Sequence, residues 1–527
     1  MKHDSRSHKR VVDESGFERI SPRWSWILRT WFTINSMVAG LLALIWLILR
    51  SGQKPSRLAY PCQQAALSAA SLAFAAPLIS ALVAARRGLV QGMRTPAAVT
   101  ASLLGLLITL GMWGHSSIAD DPGREVPAAP VDYRAQVFRV TDCPQQPSGD
   151  RFAGLDNLLA LMGSRGLKFY RSPSFSTLAG PDGIIAADDV VIVKINYQWP
   201  ERAGSNTDLL RGLIRAIVDH PDGFAGEVVV AENAQFNSVD NFDRSANNAQ
   251  DTSLSPHDVV VGFQNLGYTV SHYDWTSIRY TTVDEYSDGD TDDGYIVYDH
   301  DPQISGKVSY PKFQTDDGTH VSLRDGLWDP VGSSYDRDRL KFINLPVLKS
   351  HHATYGVTGC VKHYMGVVTR ELGTNSHSAI GSGLLGELLA EIRPADLNIL
   401  DCVWVNADPY DGPWTSYSDA TRLDQLVAST DPVAVDIWAA TEILIPAFIA
   451  NGFNPPWPEP SAAPDDPSSD FRVYLDNSMN RLLGAGYVVT NDMTQIDAVT
   501  WDGSEPLAIF VDGFESGDTD AWSTVAP

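Results

Sequence analysis

The 527-residue chain has four cysteines, Cys62, Cys143, Cys360 and Cys402, and they are so widely spaced that no C-x-x-C occurs. Zinc ribbons and ferredoxin-type clusters need paired thiolates, so both are excluded and no iron–sulfur cluster is expected. At most one disulfide can form among the last three, and buried thiols are the default reading. The chain also lacks G-x-S-x-G and G-x-x-x-x-G-K-[ST]. Nucleophile-elbow hydrolases and P-loop enzymes fall with those motifs. Basic residues are scarce: 39 Lys and Arg stand against 64 Asp and Glu, a net charge of −25. Nucleic-acid binding depends on neutralising phosphates, so no nucleic-acid partner is expected.

The scarcity is uneven. Residues 1–118 hold thirteen basic and four acidic side chains, which leaves twenty-six basic and sixty acidic for 119–527. Three stretches in the first part carry no charge: Trp31 to Leu49, Ala65 to Ala85 and Pro96 to Gly114. Each is close to the ~20 residues that cross a bilayer core. They predict a three-helix transmembrane region at 31–114 behind a basic leader at 1–30. An N-in orientation places ten flanking basic residues inside and five outside. By the positive-inside rule the large acidic domain then lies outside the cytoplasm, with the lipid bilayer as a partner.

Ala119 to Pro130, rich in proline and charge, belongs to a linker over 115–136. From 137 to 505 the pattern is that of an α/β domain. Val190 to Ile195 and Glu227 to Ala231 read as buried strands. Thr207 to Val218 reads as a helix, with apolar residues at Leu209, Leu210, Leu213, Ile214 and Ile217. Pro256–Leu266 (helix), Thr269–Tyr273 (strand), Phe342–Leu348 (strand), Gly356–Val368 (helix), Leu397–Val403 and Leu426–Ser429 (strands) and Asp431–Phe448 (helix) continue the alternation. Such βα units predict a mainly parallel, doubly wound-type sheet covered on both faces. Residues 280–340, rich in Asp, Gly and Tyr, read as an insertion with short strands, and 506–527 as an acidic tail.

Against the acidic background one segment is basic. Lys349, His351, His352, Lys362 and His363 fall within fifteen residues, directly after an apolar run. Strand ends of open α/β sheets are where ligands bind. Ammonium groups there hold a carboxylate or phosphate, and imidazole serves as acid or base near neutral pH. Lys349, Lys362 and His351 are therefore the candidate catalytic residues. Asn196, at the end of the first strand, joins His352 and His363 as candidate substrate-binding groups. Glu232 and Asp401 also follow strands and are candidate ligands for Mg²⁺ or Ca²⁺. Asp288, Asp290 and Asp292 sit at the first, third and fifth positions of a partial calcium loop, whose sixth position is Asp293 where glycine is required. An exposed acidic turn has the same composition. Asp431 reads as a helix cap. Gly381-Ser-Gly-Leu-Leu-Gly386 follows no strand, so it reads as a helix start packed closely on its neighbours, not a dinucleotide site.

Several of these runs together resemble a known family. Val-Ile-Val-Lys-Ile-Asn196, Ile-Asn-Leu-Pro-Val-Leu-Lys-Ser-His351, Gly-Val-Thr-Gly-Cys-Val-Lys362, Leu397-Asn-Ile-Leu-Asp401 and Ala428-Ser-Thr-Asp-Pro-Val-Ala-Val-Asp436 are similar to the domain of unknown function 362 family. The resemblance covers roughly 185–450 and implies a prokaryotic protein, hence an inner-membrane location. Some members of that family carry iron–sulfur segments, which this chain lacks. The closing Asp512-Gly-Phe-Glu-Ser-Gly-Asp-Thr-Asp-Ala-Trp-Ser523 looks like an acidic tail of exported bacterial proteins. Two functions remain open: a membrane-anchored enzyme acting on a small anionic or cell-envelope substrate, and a non-catalytic envelope binding or assembly protein. Oligomeric state is not legible.

Overall fold

The computed structural model describes residues 132–503, apart from 144–148, 236–241, 300–306, 353–354, 375 and 459–460. The expected leader, membrane segments, most of the linker and the acidic tail lie outside the described residues.

Ten strands form one sheet: β1 (Ala135–Val140), β2 (Val190–Lys194), β3 (Glu227–Glu232), β4 (Val270–Asp274), β5 (Leu340–Asn344), β6 (Val347–His351), β7 (Gly356–Thr358), β8 (Leu397–Asn406), β9 (Thr421–Ser429) and β10 (Ile496–Trp501). The order is β10-β1-β9-β8-β5-β2-β3-β4, with β6 on β8 and β7 on β6. The block β8-β5-β2-β3-β4 is parallel. β9 runs antiparallel to both β8 and β1. The sheet is thus mixed and mostly parallel, as the alternating pattern implies. Its central strands are β-branched and fully buried, which fits a sheet covered on both faces.

One face carries the helices Ala153–Ser164, Thr207–Val218 and Pro256–Asn265. The other carries Cys360–His363, Leu384–Glu391, Pro432–Ala439 and Asp470–Gly484, together with the insertion. The insertion is a five-stranded antiparallel sheet of Gly294–Asp299, Lys307–Gln314, His320–Ser322, Gly326–Asp329 and Ser334–Asp336. It packs Tyr295, Val308, Tyr310 and Phe313 into the core. Pro432–Ala450 is the one helix among the described residues long and apolar enough to cross a membrane, but 67% of that stretch is buried in the fold.

Two sequence expectations are corrected. The strand expected at Phe342–Leu348 is two strands, β5 and β6, on one line and both parallel to β8. Pro346 lies at the break, where a residue without an amide hydrogen cannot continue the ladder. Lys349 is therefore inside β6, not beyond its end. The helix expected at Gly356–Val368 shrinks to Cys360–His363 and a 3₁₀ turn at Tyr364–Gly366, because Gly356–Thr358 forms β7 on β6. Val357 and Thr358 favour a strand, and Gly356 holds a φ of 71° that glycine tolerates. Gly386 shows why the glycine-rich run is there: a side chain would strike the Ser478 carbonyl of the helix Asp470–Gly484.

Candidate functional site

Lys194 ends β2, Asn344 ends β5, and Asn398 lies near the start of β8. In the ladder Lys194 stands beside Asn344 and Asn344 beside Asn398. This row places polar side chains where β2 and β5 stop and β8 begins, on the face bearing Cys360–His363. Lys194 is fully buried and ion-paired with Glu232 at the end of β3. Its ammonium also donates to the Ile195 carbonyl at 3.1 Å, and the Glu232 carboxylate accepts from the Ala234 amide at 3.2 Å. Burial pushes Lys194 down from its ordinary value and Glu232 up to about 6, and their mutual attraction opposes both shifts. Gly366 closes over the pair: an added Cβ would lie 2.5 Å from Lys194 Nζ and 2.6 Å from both Glu232 oxygens. Only glycine lets the turn approach so near.

Lys349 and Lys362 are the second layer. Lys349 Nζ donates to the Ala203 carbonyl at 2.6 Å. Lys362 is 3% exposed and has no hydrogen bond or ion pair among the described residues. Burial, and for Lys349 also the charge of Lys362, pushes each ammonium down to about 7. Lys349 is in electrostatic range of Lys362, Glu232, Lys194 and Asp401, which makes it the centre of the group. His351 Nδ1 lies 2.6 Å from Thr358 Oγ1, and burial beside Lys362 and Lys349 holds the imidazole neutral, well below its usual range. Burial near Lys194 and Lys349 does the same to His363. His377, which the sequence did not single out, is lowered to about 4 by burial and then by Lys362 and Arg370.

A short helix supplies Lys362 and His363, and Asp436 holds its start. The Asp436 carboxylate accepts from the Cys360 amide at 2.6 Å and the Val361 amide at 2.9 Å. A side chain at Gly359 would collide with that carboxylate. Asp431 caps its own helix through Val433 and Ala434. The two aspartates of Asp-Pro-Val-Ala-Val-Asp thus position helices, one of them the helix that carries the site.

The remaining candidates scatter. Asn196 is 6% exposed and tied by its main chain to Ser205, in the loop whose Ala203 receives Lys349. His352 turns to the 408–412 loop, where its amide donates to Asp411 and its ring lies 6.4 Å from that of Tyr410. Asp401 is buried under Asn248 at 2.8 Å, and burial raises it to about 6. Asp290 accepts from the Asp284 and Asp292 amides, and Lys312 is 3.6 Å away. Its turn therefore binds its own backbone. Among the described residues no three His, Cys, Asp or Glu side chains gather into a metal site, and the carboxylates of Glu232, Asp401 and Asp290 are separately engaged. Cys143, Cys360 and Cys402 are buried free thiols.

Fold and cluster together define the class: an α/β domain with a buried cluster of lysines on one face of its mostly parallel sheet. Residues 338–441 match the model of a family described as a domain of unknown function (DUF362), which supports that family for the segment carrying Lys349, His351, Lys362, His363 and Asp436. No curated protein and no solved structure matches the chain. Lys194, ahead of that segment, joins the cluster although the sequence does not single it out. Its signal was a lone lysine closing the run Val-Val-Ile-Val.

Proposed function

We propose that the domain is an enzyme that binds a small anion, free or part of a cell-envelope substrate, between Lys349 and Lys362, with His351 beside them as acid or base. One observation carries this reading: among the described residues Lys362 is a buried ammonium with no hydrogen bond or ion pair, next to a second lysine whose one hydrogen bond goes to a carbonyl. Burying an unpaired charge is costly and is kept where it does work. An anion entering the site would restore both ammonium charges and bring its own negative charge to meet them. Amines poised near neutrality can also pass protons at physiological pH. The membrane segments expected at 31–114 would hold this domain on the outer side of a bacterial inner membrane.

The test is a thermal-shift screen of the full chain in detergent against inorganic phosphate, sulfate, citrate and glycerol phosphate. A site ligand at a hundred times its Kd should add about 2.7 kcal/mol of stability to the wild type. Lys349→Ala and Lys362→Ala should lose that gain without a large fall in their own melting temperatures. No shift with any anion, or equal shifts in the variants, would sink the proposal. Binding without turnover of any candidate ester would return the non-catalytic envelope reading.

A further inference from the structure

Two half-buried histidines meet at the edge of the sheet. His257, in the first turn of the helix Pro256–Asn265, sets its Nδ1 2.8 Å from Nε2 of His272 in the edge strand β4. Uncharged, the pair has one N–H and one lone pair between the facing nitrogens. A first added proton goes to an outer nitrogen, keeps that bond and strengthens it. A second sets N–H against N–H and one positive ring beside another, so the bond breaks. Burial, and then His257, already hold His272 below its ordinary value, while the carboxylates of Asp316 and Asp243 oppose the shift. Asp258 lies in electrostatic range of His257, and Asp274 of His272, from the same helix and strand. The pair holds the segment 242–249. The Phe242 carbonyl accepts from the His257 amide at 3.1 Å, and the Phe242 ring sits edge-on to His272 at 5.4 Å and to Tyr197 at 5.0 Å. Phe242 has a φ of 62°, a left-handed conformation that a bulky residue keeps only where packing enforces it. Further along, the Arg244 amide donates to the Tyr197 hydroxyl and the Ala246 carbonyl accepts from the Glu201 amide at 2.9 Å. Arg202 then donates to the Asn248 and Ala249 carbonyls, each at 2.8 Å. Its neighbour Ala203 supplies the carbonyl that receives Lys349.

We propose that the His257–His272 pair is an acid-sensitive latch. Closed, with no more than one added proton, it pins Phe242 and the 242–249 segment onto Tyr197 and the Glu201–Ala203 loop; the second proton releases them together. The latch stands on contacts at the sheet edge and holds whether or not an anion binds at the lysines. Its sign follows from His272, whose folded-state value is lowered. The stability the latch contributes is therefore complete above the ordinary histidine value of about 6.5 and is lost as pH falls below it. The strained backbone at Phe242 favours release once the histidines part.

Hydrogen–deuterium exchange of the full chain in detergent, followed by mass spectrometry from about pH 7.5 to about pH 4.5 and corrected for the intrinsic pH dependence of exchange, reads this directly. Peptides over 242–249 and 201–206 should lose protection together below about pH 6.5, by up to about tenfold per pH unit. His257→Gln can still bond His272 but cannot charge, so it should remove the acid loss and keep protection near neutral pH within about threefold of wild type. His272→Gln should do the same from the strand side. Asp316→Asn removes a charge that favours the second proton and should move the loss to lower pH. Protection of 242–249 that does not change with pH in the wild type, or an acid loss that persists in both glutamine variants, would overturn the latch. A loss in 242–249 that leaves 201–206 unmoved would overturn its reach to the loop that receives Lys349.

Discussion

Two of the places where the molecule buries lysine and carboxylate are treated differently. In the insertion, Glu285 accepts from the hydroxyls of Tyr310 at 2.8 Å, Ser322 at 2.9 Å and Tyr335 at 2.7 Å, with Arg324 at 3.7 Å. Lys312, fully buried, donates to the Asp290 carbonyl at 2.7 Å and lies 4.2 Å over the Tyr286 ring. Every charge there is answered by its surroundings. Lys194 and Glu232, at strand ends, answer each other, but among the described residues Lys349 hydrogen-bonds one carbonyl and Lys362 has neither hydrogen bond nor ion pair. A saturated network specifies a structure. An unsaturated one fits the anion site proposed above.

The comparison breaks first at Glu285. Glu285→Ala strands two tyrosine hydroxyls and a serine, while Arg324 keeps its pair with Asp325, and should cost about 3–5 kcal/mol in denaturant unfolding. A loss under about 1 kcal/mol would mean that the insertion's network is not the structural one. Lys362→Met should act the opposite way and stabilise the free protein by about 1–4 kcal/mol while abolishing anion binding. The sign follows from linkage. The folded-state value near 7 is below the ordinary lysine value of about 10.4, so the unfolded chain binds more protons between those limits. Stability from this group is therefore complete above about pH 10 and is lost as pH falls towards 7. The advantage of Lys362→Met over wild type should be largest at and below pH 7 and shrink on the way up to pH 10, by no more than about 1.4 kcal/mol per unit. A gap that does not move with pH would show that Lys362 is not held in this way. Working with the difference removes the opposing slope of the buried thiols Cys143, Cys360 and Cys402, which burial raises.

Much of this architecture was legible because it depends on local patterns. Runs such as Val190–Lys194 and Glu227–Glu232, and the Asn206-capped helix Thr207–Val218, declare themselves through β-branching, burial period and capping chemistry. The breaks did not, since Pro346 was read through as part of a strand and Val357–Thr358 was absorbed into a helix whose cap, Asp436, is 76 residues away. Lys349, His351 and Lys362 stood out as basic residues in an acidic chain. Lys194, Asn344 and Asn398 did not, because their importance comes from lateral register in the sheet, which one sequence does not display. Glu232, Asp401 and Asp290 resemble metal ligands for a related reason: spacing reports oxygens, whereas the hydrogen bonds occupying these carboxylates are set by the tertiary fold.

The weakest effect in the comparison sharpens it as well. Asp290 lies at the open edge of the insertion's network, where its carboxylate accepts two amides of its own turn and Lys312 relies on its main-chain carbonyl. Asp290→Asn keeps that carbonyl and can keep one amide contact. Solvent screens what remains of the ion pair. The substitution should cost no more than about 1 kcal/mol in urea unfolding, and millimolar Ca²⁺ should leave the melting temperature of wild type and variant alike. A loss several times larger would make the side-chain charge of Asp290 a member of the saturated network, and Lys312 would then depend on a carboxylate after all. A Ca²⁺-dependent rise confined to the wild type would show that the turn's oxygens can be taken from its backbone by a cation. Either result would put an unanswered charge inside the insertion and erase the contrast with Lys362.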